Sequence, residues 1–313
     1  MRLQAVQRPP EADSVPDADR WTRSRGNRTL CRWNCRSETG ARTVPESQFL
    51  TTAIEAARQA GEVLQQWSRK FTVSEKSRKN LVTEADVAAQ ETIFRILQDQ
   101  FPDHSVLGEE NLSVEGTSGE FRWIIDPLDG TANYVHQFPY YCVSIALEQN
   151  GDLITGVVFD PTRGDVFSAE RGQGAFLNGA SIHVSSCTVL NDAMCVASLP
   201  VGAQGDESQV VQFINALPRC RSVQRTGSAA LNLSYIAAGR LDAYWSGTLK
   251  PWDMAAGALL VTEAGGQVTK MNGTPFDVET PDLLASCGGI HDELAGVLGA
   301  EDSWPLQIVH RNC

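Results

Sequence analysis

Apolar residues recur at helical spacing between residues 49 and 67 (Leu50, Ile54, Ala57, Val63, Leu64, Trp67). This predicts an amphipathic helix where ordered structure begins, near Pro45. A second helix is expected over 84–100, with Thr83 placed to cap it and Asp86 three residues on completing a capping-box pattern. Short apolar runs over 105–107, 122–125, 142–148, 153–159 and 166–169 then read as antiparallel strands. Gly172-Gln173-Gly174 and the following Ala175-Phe176-Leu177-Asn178-Gly179 miss the dinucleotide fingerprint, and their turn residues read as a hairpin. After about residue 185 the texture changes. Strands are expected over 193–197, 243–245 and 283–286, and helices over 207–217, 229–238, 254–264 and 292–298. The helix over 254–264 stops at Gly265-Gly266, a good C-terminal signal. This order implies two packed α/β layers with a seam between them, the kind of place that holds active sites.

Length and composition narrow the class. A chain of 313 residues with 42% hydrophobic and 20% charged residues is globular, one large domain or two ordinary ones. No apolar run approaches the ~20 residues that span a bilayer, and no apolar stretch at the N-terminus marks a standard secretion signal. The net charge of −12 argues against broad nucleic-acid binding. It is unevenly spread: residues 1–45 carry +4 and residues 46–313 carry −16. The first 45 residues, rich in Pro, Ser, Thr, Asn and Arg, read as a disordered tail. That tail is either a nucleic-acid-binding or transit-like arm or, as its interspersed acids favour, a solvated extension. Of eight cysteines only Cys31 and Cys35 lie close together, with poor zinc spacing. The others sit in apolar settings and read as buried thiols of a reducing cytoplasm.

The candidate chemistry lies in three acidic clusters. Gly108-Glu109-Glu110 follows a strand. Asp126-Pro127-Leu128-Asp129-Gly130-Thr131 follows the apolar run Trp123-Ile124-Ile125, and Lys250-Pro251-Trp252-Asp253 sits at a predicted helix start. Pro127 fixes φ and favours a turn, so Asp126 and Asp129 can point to the same side of it, and Gly130 permits close approach of a ligand or backbone. Read locally, these acids are turn formers, an N-cap at Asp253 and a solvated loop at Glu109-Glu110. If they converge, each ~4 Å pair costs about 4 kcal/mol at an effective dielectric of 20, so a cation must neutralise them. An all-oxygen site without thiolate or imidazole suits Mg²⁺, and Mg²⁺ on carboxylates points to phosphate chemistry. There is no Gly-x-Ser-x-Gly elbow and no Walker A loop, and His136 beside the acidic turn reads as a solvent-facing or capping residue.

These segments resemble the inositol monophosphatase family. The resemblance is carried by Leu81-Val82-Thr83-Glu84-Ala85-Asp86, Gly108-Glu109-Glu110, Trp123 to Tyr134 through Asp-Pro-Leu-Asp-Gly-Thr, Trp252-Asp253-Met254-Ala255-Ala256-Gly257 and Glu263-Ala264-Gly265-Gly266, and it covers about residues 48–300. It implies a layered αβαβα sandwich of the inositol monophosphatase and fructose-1,6-bisphosphatase type, assembled as a homodimer in the cytoplasm. It also implies lithium-sensitive, Mg²⁺-dependent hydrolysis of phosphate monoesters with two or three metal ions. An N-terminal half, 46–185, carries most metal ligands, and a C-terminal half, 186–313, carries Asp253 and substrate contacts. By this resemblance Glu109, Asp126 and the Leu128 carbonyl match the ligands of a first metal. Asp126, Asp129 and Asp253 match those of a second, and Asp86 with Glu109 a looser third. Thr131 and Glu109 match the pair that orients and deprotonates a metal-activated water, without a phosphoenzyme. The Gly130 and Thr131 amides are placed to hold phosphate.

Substrate contacts are expected at Asp129, Gly227, Ser228 and Ala229 and at position 246. Family phosphatases usually carry a Glu at that last position; here it is Ser246, so a carboxylate clamp on ring hydroxyls is missing. The expected substrate is inositol monophosphate or a similar small polyol phosphate, with histidinol phosphate as an alternative. From another class, the chain could be a regulatory protein bound to the transcription or ribosome machinery, with the Arg-bearing tail as its contact. No membrane contact is expected.

Overall fold

The first helix, α1 (Gln48–Trp67), starts where the Ser47 hydroxyl accepts the Leu50 N–H at 3.2 Å. Its buried stripe of Leu50, Ala53, Ala56, Ala57, Ala60 and Leu64 packs on α2 (Glu84–Gln100), which buries Ala85, Ala89, Ile93 and Leu97. Between them β1 (Val73–Ser77) and β2 (Asn80–Thr83) pair antiparallel. The computed structural model describes residues 47–68, 84–199 and 208–300 in full, and the backbone alone of β1, β2 and Glu207. The proposed tail, Cys31, Cys35, Cys313 and the Thr83 side-chain cap therefore lie outside the described residues.

The strands β3 (Ser105–Gly108), β4 (Leu112–Val114), β5 (Phe121–Asp129), β6 (Cys142–Gln149), β7 (Asp152–Asp160), β8 (Asp165–Glu170), β9 (Ala175–Leu177) and β10 (Ala180–Ile182) form an eight-stranded sheet. Its order is β10-β9-β8-β7-β6-β5-β3-β4. It is mostly antiparallel, as expected, but β3 runs parallel to β5, because the chain turns back as β4 on the outer edge of β3 and crosses to re-enter as β5 on its other side. The expected hairpin over 172–179 is present as the β8–β9 and β9–β10 turns. Both carboxylate oxygens of Glu263 accept N–H groups there, from Gly172 and Gly174 at 2.8 Å each.

A second, five-stranded sheet has the order β12-β11-β13-β15-β14. Its members are β11 (Met194–Ala197), β12 (Ser222–Gln224), β13 (Ala243–Ser246), β14 (Gln267–Thr269) and β15 (Leu283–Ser286). It is mixed, with β11 parallel to both β12 and β13. Helices α5 (Ala229–Ala237) and α6 (Pro251–Glu263) lie between the two sheets, and α4 (Glu207–Ala216) and α7 (His291–Leu298) cover the far side of the second. A short helix, α3 (Thr131–Val135), follows β5. Three apolar cores thus fill the four interfaces between five layers in the order αβαβα, the middle core packing α5 and α6 on both sheets.

One close approach decides where α6 lies. A Cβ at Gly156 on β7 would sit 2.9 Å from the Ala256 carbonyl oxygen, so only glycine lets this helix rest on the sheet. The Ser144 hydroxyl on β6 donates to the Trp252 carbonyl at 3.3 Å, which sets the helix start at the end of the strands.

Candidate active site

In a regular strand Asp126 and Asp129, three residues apart, would project from opposite faces. The β5–β6 register prevents this. Asp126 pairs with Ser144 and Asp129 with Cys142, so three steps on β5 oppose two on β6. The extra residue is a bulge at Pro127-Leu128, and Pro127 has no N–H for the ladder to lose. Packing records the change of side: Ile125 and Leu128 both join the core under α1 and α2, whereas Ile124 faces the core under α5 and α6. The two aspartates consequently face α5 and α6 together. The Leu128 N–H donates to Asp126 Oδ1 at 2.9 Å and holds the turn.

Gly130 follows with φ +100°, and a Cβ there would stand 3.0 Å from the Tyr140 carbonyl oxygen. Gly130→Ala is expected to cost about 1–2 kcal/mol through left-handed strain and that contact, read by urea unfolding; unchanged stability would show that the turn relaxes freely. The Thr131 hydroxyl donates to the Leu128 carbonyl at 3.2 Å. Tyr134 anchors α3 by donating to the Leu64 carbonyl at 2.6 Å. Asn133 Nδ2 donates to the carbonyls of Tyr140 (2.7 Å) and Thr226 (2.9 Å), tying this turn to the segment before Gly227.

The remaining acids arrive from other layers. Asp253 lies in the first turn of α6 rather than at the N-cap expected from sequence, because the helix begins at Pro251. Its Oδ2 accepts the Lys250 N–H at 2.7 Å. Carboxylate oxygens of Asp126, Asp129 and Asp253 lie within 4.8 Å of one another, as do those of Asp86, Glu109 and Glu110. Asp86 comes from α2, and Glu109 and Glu110 from the end of β3. The sequence places Glu110 in the acidic Gly108-Glu109-Glu110 cluster but assigns it no ion, because neighbours in a chain do not by themselves share a face; the structure brings it to Asp86 and Glu109.

The electrostatics of this arrangement are severe. Burial, followed by repulsion from Glu109, Asp129, Asp253 and Asp86, raises Asp126 well above the usual carboxylate range. Asp129 is also raised by burial, against the pull of its hydrogen bonds: Oδ2 accepts the Ser228 hydroxyl at 2.6 Å and the Ala230 N–H at 2.7 Å. Burial and Asp129 push Asp253 up to about 8, with the Lys250 N–H opposing. Each unscreened pair at this separation costs about 3.5 kcal/mol at an effective dielectric of 20. Among the described residues no arginine or lysine forms a salt bridge to Asp126, Asp129 or Asp253. Both groups are hard oxygen donors, and the donor chemistry fits a cation such as Mg²⁺.

The expected substrate-side residues are less uniform. Ser228 caps α5 and is turned onto Asp129, and buried Ala229 begins that helix. Gly227 is exposed with φ +92°. Ser246 ends β13, is 1% exposed, and its hydroxyl accepts the Thr248 N–H at 3.4 Å. His136 is exposed at the end of α3. Of the described cysteines, Cys142, Cys195, Cys220 and Cys287 are buried and Cys187 partly so. No described helix is long and apolar enough to cross a membrane.

Five alternating layers with acidic side chains gathered where two sheets and their helices meet define an αβαβα class of protein with a candidate cation site. The pattern of the Inositol monophosphatase family matches residues 46–302, and the chain belongs to that family. Nus factor SuhB of Pseudomonas aeruginosa is 41% identical over 249 residues, 76% of this chain and 90% of that protein. Inositol monophosphatase of Mesembryanthemum crystallinum is also 41% identical, over 255 residues, 79% of this chain and 94% of its own length. In three dimensions the chain is similar to extragenic suppressor protein suhB from Bartonella henselae, with a TM-score of 0.79 at 35% identity, covering 82% of this chain and all of that one.

Proposed function

We propose that this chain is a Mg²⁺-dependent phosphomonoesterase for a small polyol phosphate such as inositol monophosphate. The observation that carries the reading is the convergence of Asp126, Asp129 and Asp253, from a strand end and a helix start, into one largely buried group to which no described arginine or lysine forms a salt bridge. Asp126, with Glu109 and the Leu128 carbonyl on one side and with Asp129 and Asp253 on the other, would hold two ions; Asp86 and Glu109 would hold a third more loosely. When bound, Mg²⁺ neutralises phosphate oxygens and acidifies water. The protein's own part is positioning. With its proton on the Leu128 carbonyl, Thr131 keeps its lone pairs to accept from a water, and Glu109 is the base that takes the second proton. The Gly130 turn presents N–H groups to phosphate. Asp129, oriented by Ser228 and Ala230, meets a leaving-group hydroxyl, with Gly227 and Ser246 bordering the same side. A homodimer, a cytoplasmic location, lithium inhibition and the division into ligand-bearing halves 46–185 and 186–313 belong to this reading.

The test is phosphate release from inositol 1-phosphate, histidinol phosphate, fructose 1,6-bisphosphate and adenosine 3′,5′-bisphosphate, with and without Mg²⁺. Turnover is expected for inositol 1-phosphate or another monoester, lost in excess chelator. Turnover that persists without divalent metal would overturn the reading, and dominance of histidinol phosphate would reassign the substrate. Similarity to a protein named a Nus factor supports a second reading, attachment to the transcription machinery. Removing residues 1–45 tests its Arg-bearing tail: loss of polymerase or nucleic-acid binding with phosphatase activity intact is the result it requires.

A further inference from the structure

The loop bearing Glu109 and Glu110 is gripped by a side chain that carries no charge. Gln90, 7% exposed on α2, donates from Nε2 to the Glu110 carbonyl at 3.1 Å and accepts the Glu110 N–H on Oε1 at 3.0 Å. One planar amide thus satisfies both backbone polar groups of Glu110 where β3 has ended, as a neighbouring strand would. Gly108 makes room for it. Its backbone is not left-handed, but a Cβ there would stand 2.6 Å from Gln90 Oε1, 3.1 Å from Ile125 Cγ1 and 3.2 Å from Leu112 Cβ. The glycine of Gly108-Glu109-Glu110 is therefore a matter of space.

Asp86 and Gln90 are four residues apart, so they share one face of α2. The helix delivers Asp86 to the carboxylate group it forms with Glu109 and Glu110, and one turn later it locks the segment that delivers the other two.

We propose that Gln90 is a positioning residue that holds Asp86, Glu109 and Glu110 in register as one cation-binding group. The inference rests on reading that group as metal-binding. The amide is the chemistry required: a carboxylate at this position would still accept the Glu110 N–H but would oppose the Glu110 carbonyl and add a fourth negative charge to three. An apolar side chain would leave both backbone groups to water.

The experiment compares Gln90→Ala, Gln90→Glu, Gly108→Ala and the Gly108→Ala/Gln90→Ala pair with the unsubstituted full chain. Hydrogen exchange at the Glu110 amide is measured without metal, and Mn²⁺ binding is followed by electron paramagnetic resonance. Gln90→Ala is expected to speed Glu110 exchange at least about tenfold and to loosen the weakest Mn²⁺ class by about 10–100-fold, the range for partners that orient metal ligands. The tighter class, which shares only Glu109 with this group, loosens less, and the metal-free protein melts at most a few degrees lower, as the loss of two backbone hydrogen bonds allows. In activity, the Mg²⁺ concentration for half-saturation rises while kcat at saturating Mg²⁺ is kept. Gln90→Glu weakens the same class, and Gly108→Ala, by displacing the amide, copies it. The pair is no worse than the worse single change, as one shared contact requires. Unchanged exchange, or faster exchange with every Mn²⁺ class intact, overturns the positioning role, as does equal loosening of both classes. Absence of any Mn²⁺ uptake by the unsubstituted chain overturns instead the metal reading beneath it.

Discussion

Asp126→Asn is expected to lower phosphatase kcat/KM by roughly 10³-fold, the scale of removing a preorganised charge from a dry site, while the metal-free protein melts no lower and by a few degrees higher. Among the described residues Asp126 is the most embattled carboxylate: it is buried and faces Glu109, Asp129, Asp253 and Asp86. Asparagine keeps an oxygen for the Leu128 N–H, so the turn at the bulge survives. It removes the repulsion that metal would otherwise relieve, and with it one of the charges that metal needs. Activity, Mn²⁺ binding and thermal melting in chelator measure the three effects. Near-normal turnover would sink the assignment of Asp126 as a shared ligand. Lost turnover with a collapsed melting temperature would make it a structural residue.

The second large effect is a pH dependence that metal abolishes. Burial and the neighbouring Asp129 push Asp253 up to about 8 from the ordinary 3.8, and Asp126 and Asp129 are displaced in the same direction. A carboxyl raised on folding holds its proton better in the native state. Its contribution to stability is complete below about pH 4 and is lost as pH rises toward 8. In chelator, stability should therefore fall between pH 5.5 and 8 by up to about 1.4 kcal/mol per pH unit for each such proton, which is several degrees of melting temperature. Saturating Mg²⁺ should flatten that slope, so that its stabilisation grows with pH. Asp253→Asn should make it shallower without metal, by the share of that one proton and of the repulsion it removes from Asp126. Parallel curves in chelator and Mg²⁺ would mean that the cation does not bind at these acids.

The elements that were legible in the sequence are those set by neighbours in the chain. Residues 84–100 form α2 and 283–286 form β15 as periodicity and apolar runs implied, and Gly265-Gly266 closes α6 with Gly265 at φ +86°. What periodicity missed was short or irregular. β4, β12 and β14 have three residues each, too few to show alternation, and the parallel pairing of β3 with β5 depends on β4 taking the outer edge of β3. Asp253 was displaced by one helical turn because Pro251, invisible to an apolar pattern, starts the helix.

The sequence by itself determined which acids were available and that two of them flanked a proline at the end of a buried strand. It also determined that a glycine followed, where backbone strain allows little else. Those are consequences of local sterics and of periods of 2 and 3.6 residues. Only the tertiary structure decided that the bulge at Pro127-Leu128 turns Asp126 and Asp129 to one side and that Gly156 lets α6 bring Asp253 to meet them. It also decided that Ser228 and Ala230 orient Asp129, and that Gln90 holds Glu110 in the company of Asp86. Charges of one sign do not gather through their own attraction. Here three hydrophobic cores and five packed layers bring them together, and that packing energy is distributed over the whole chain.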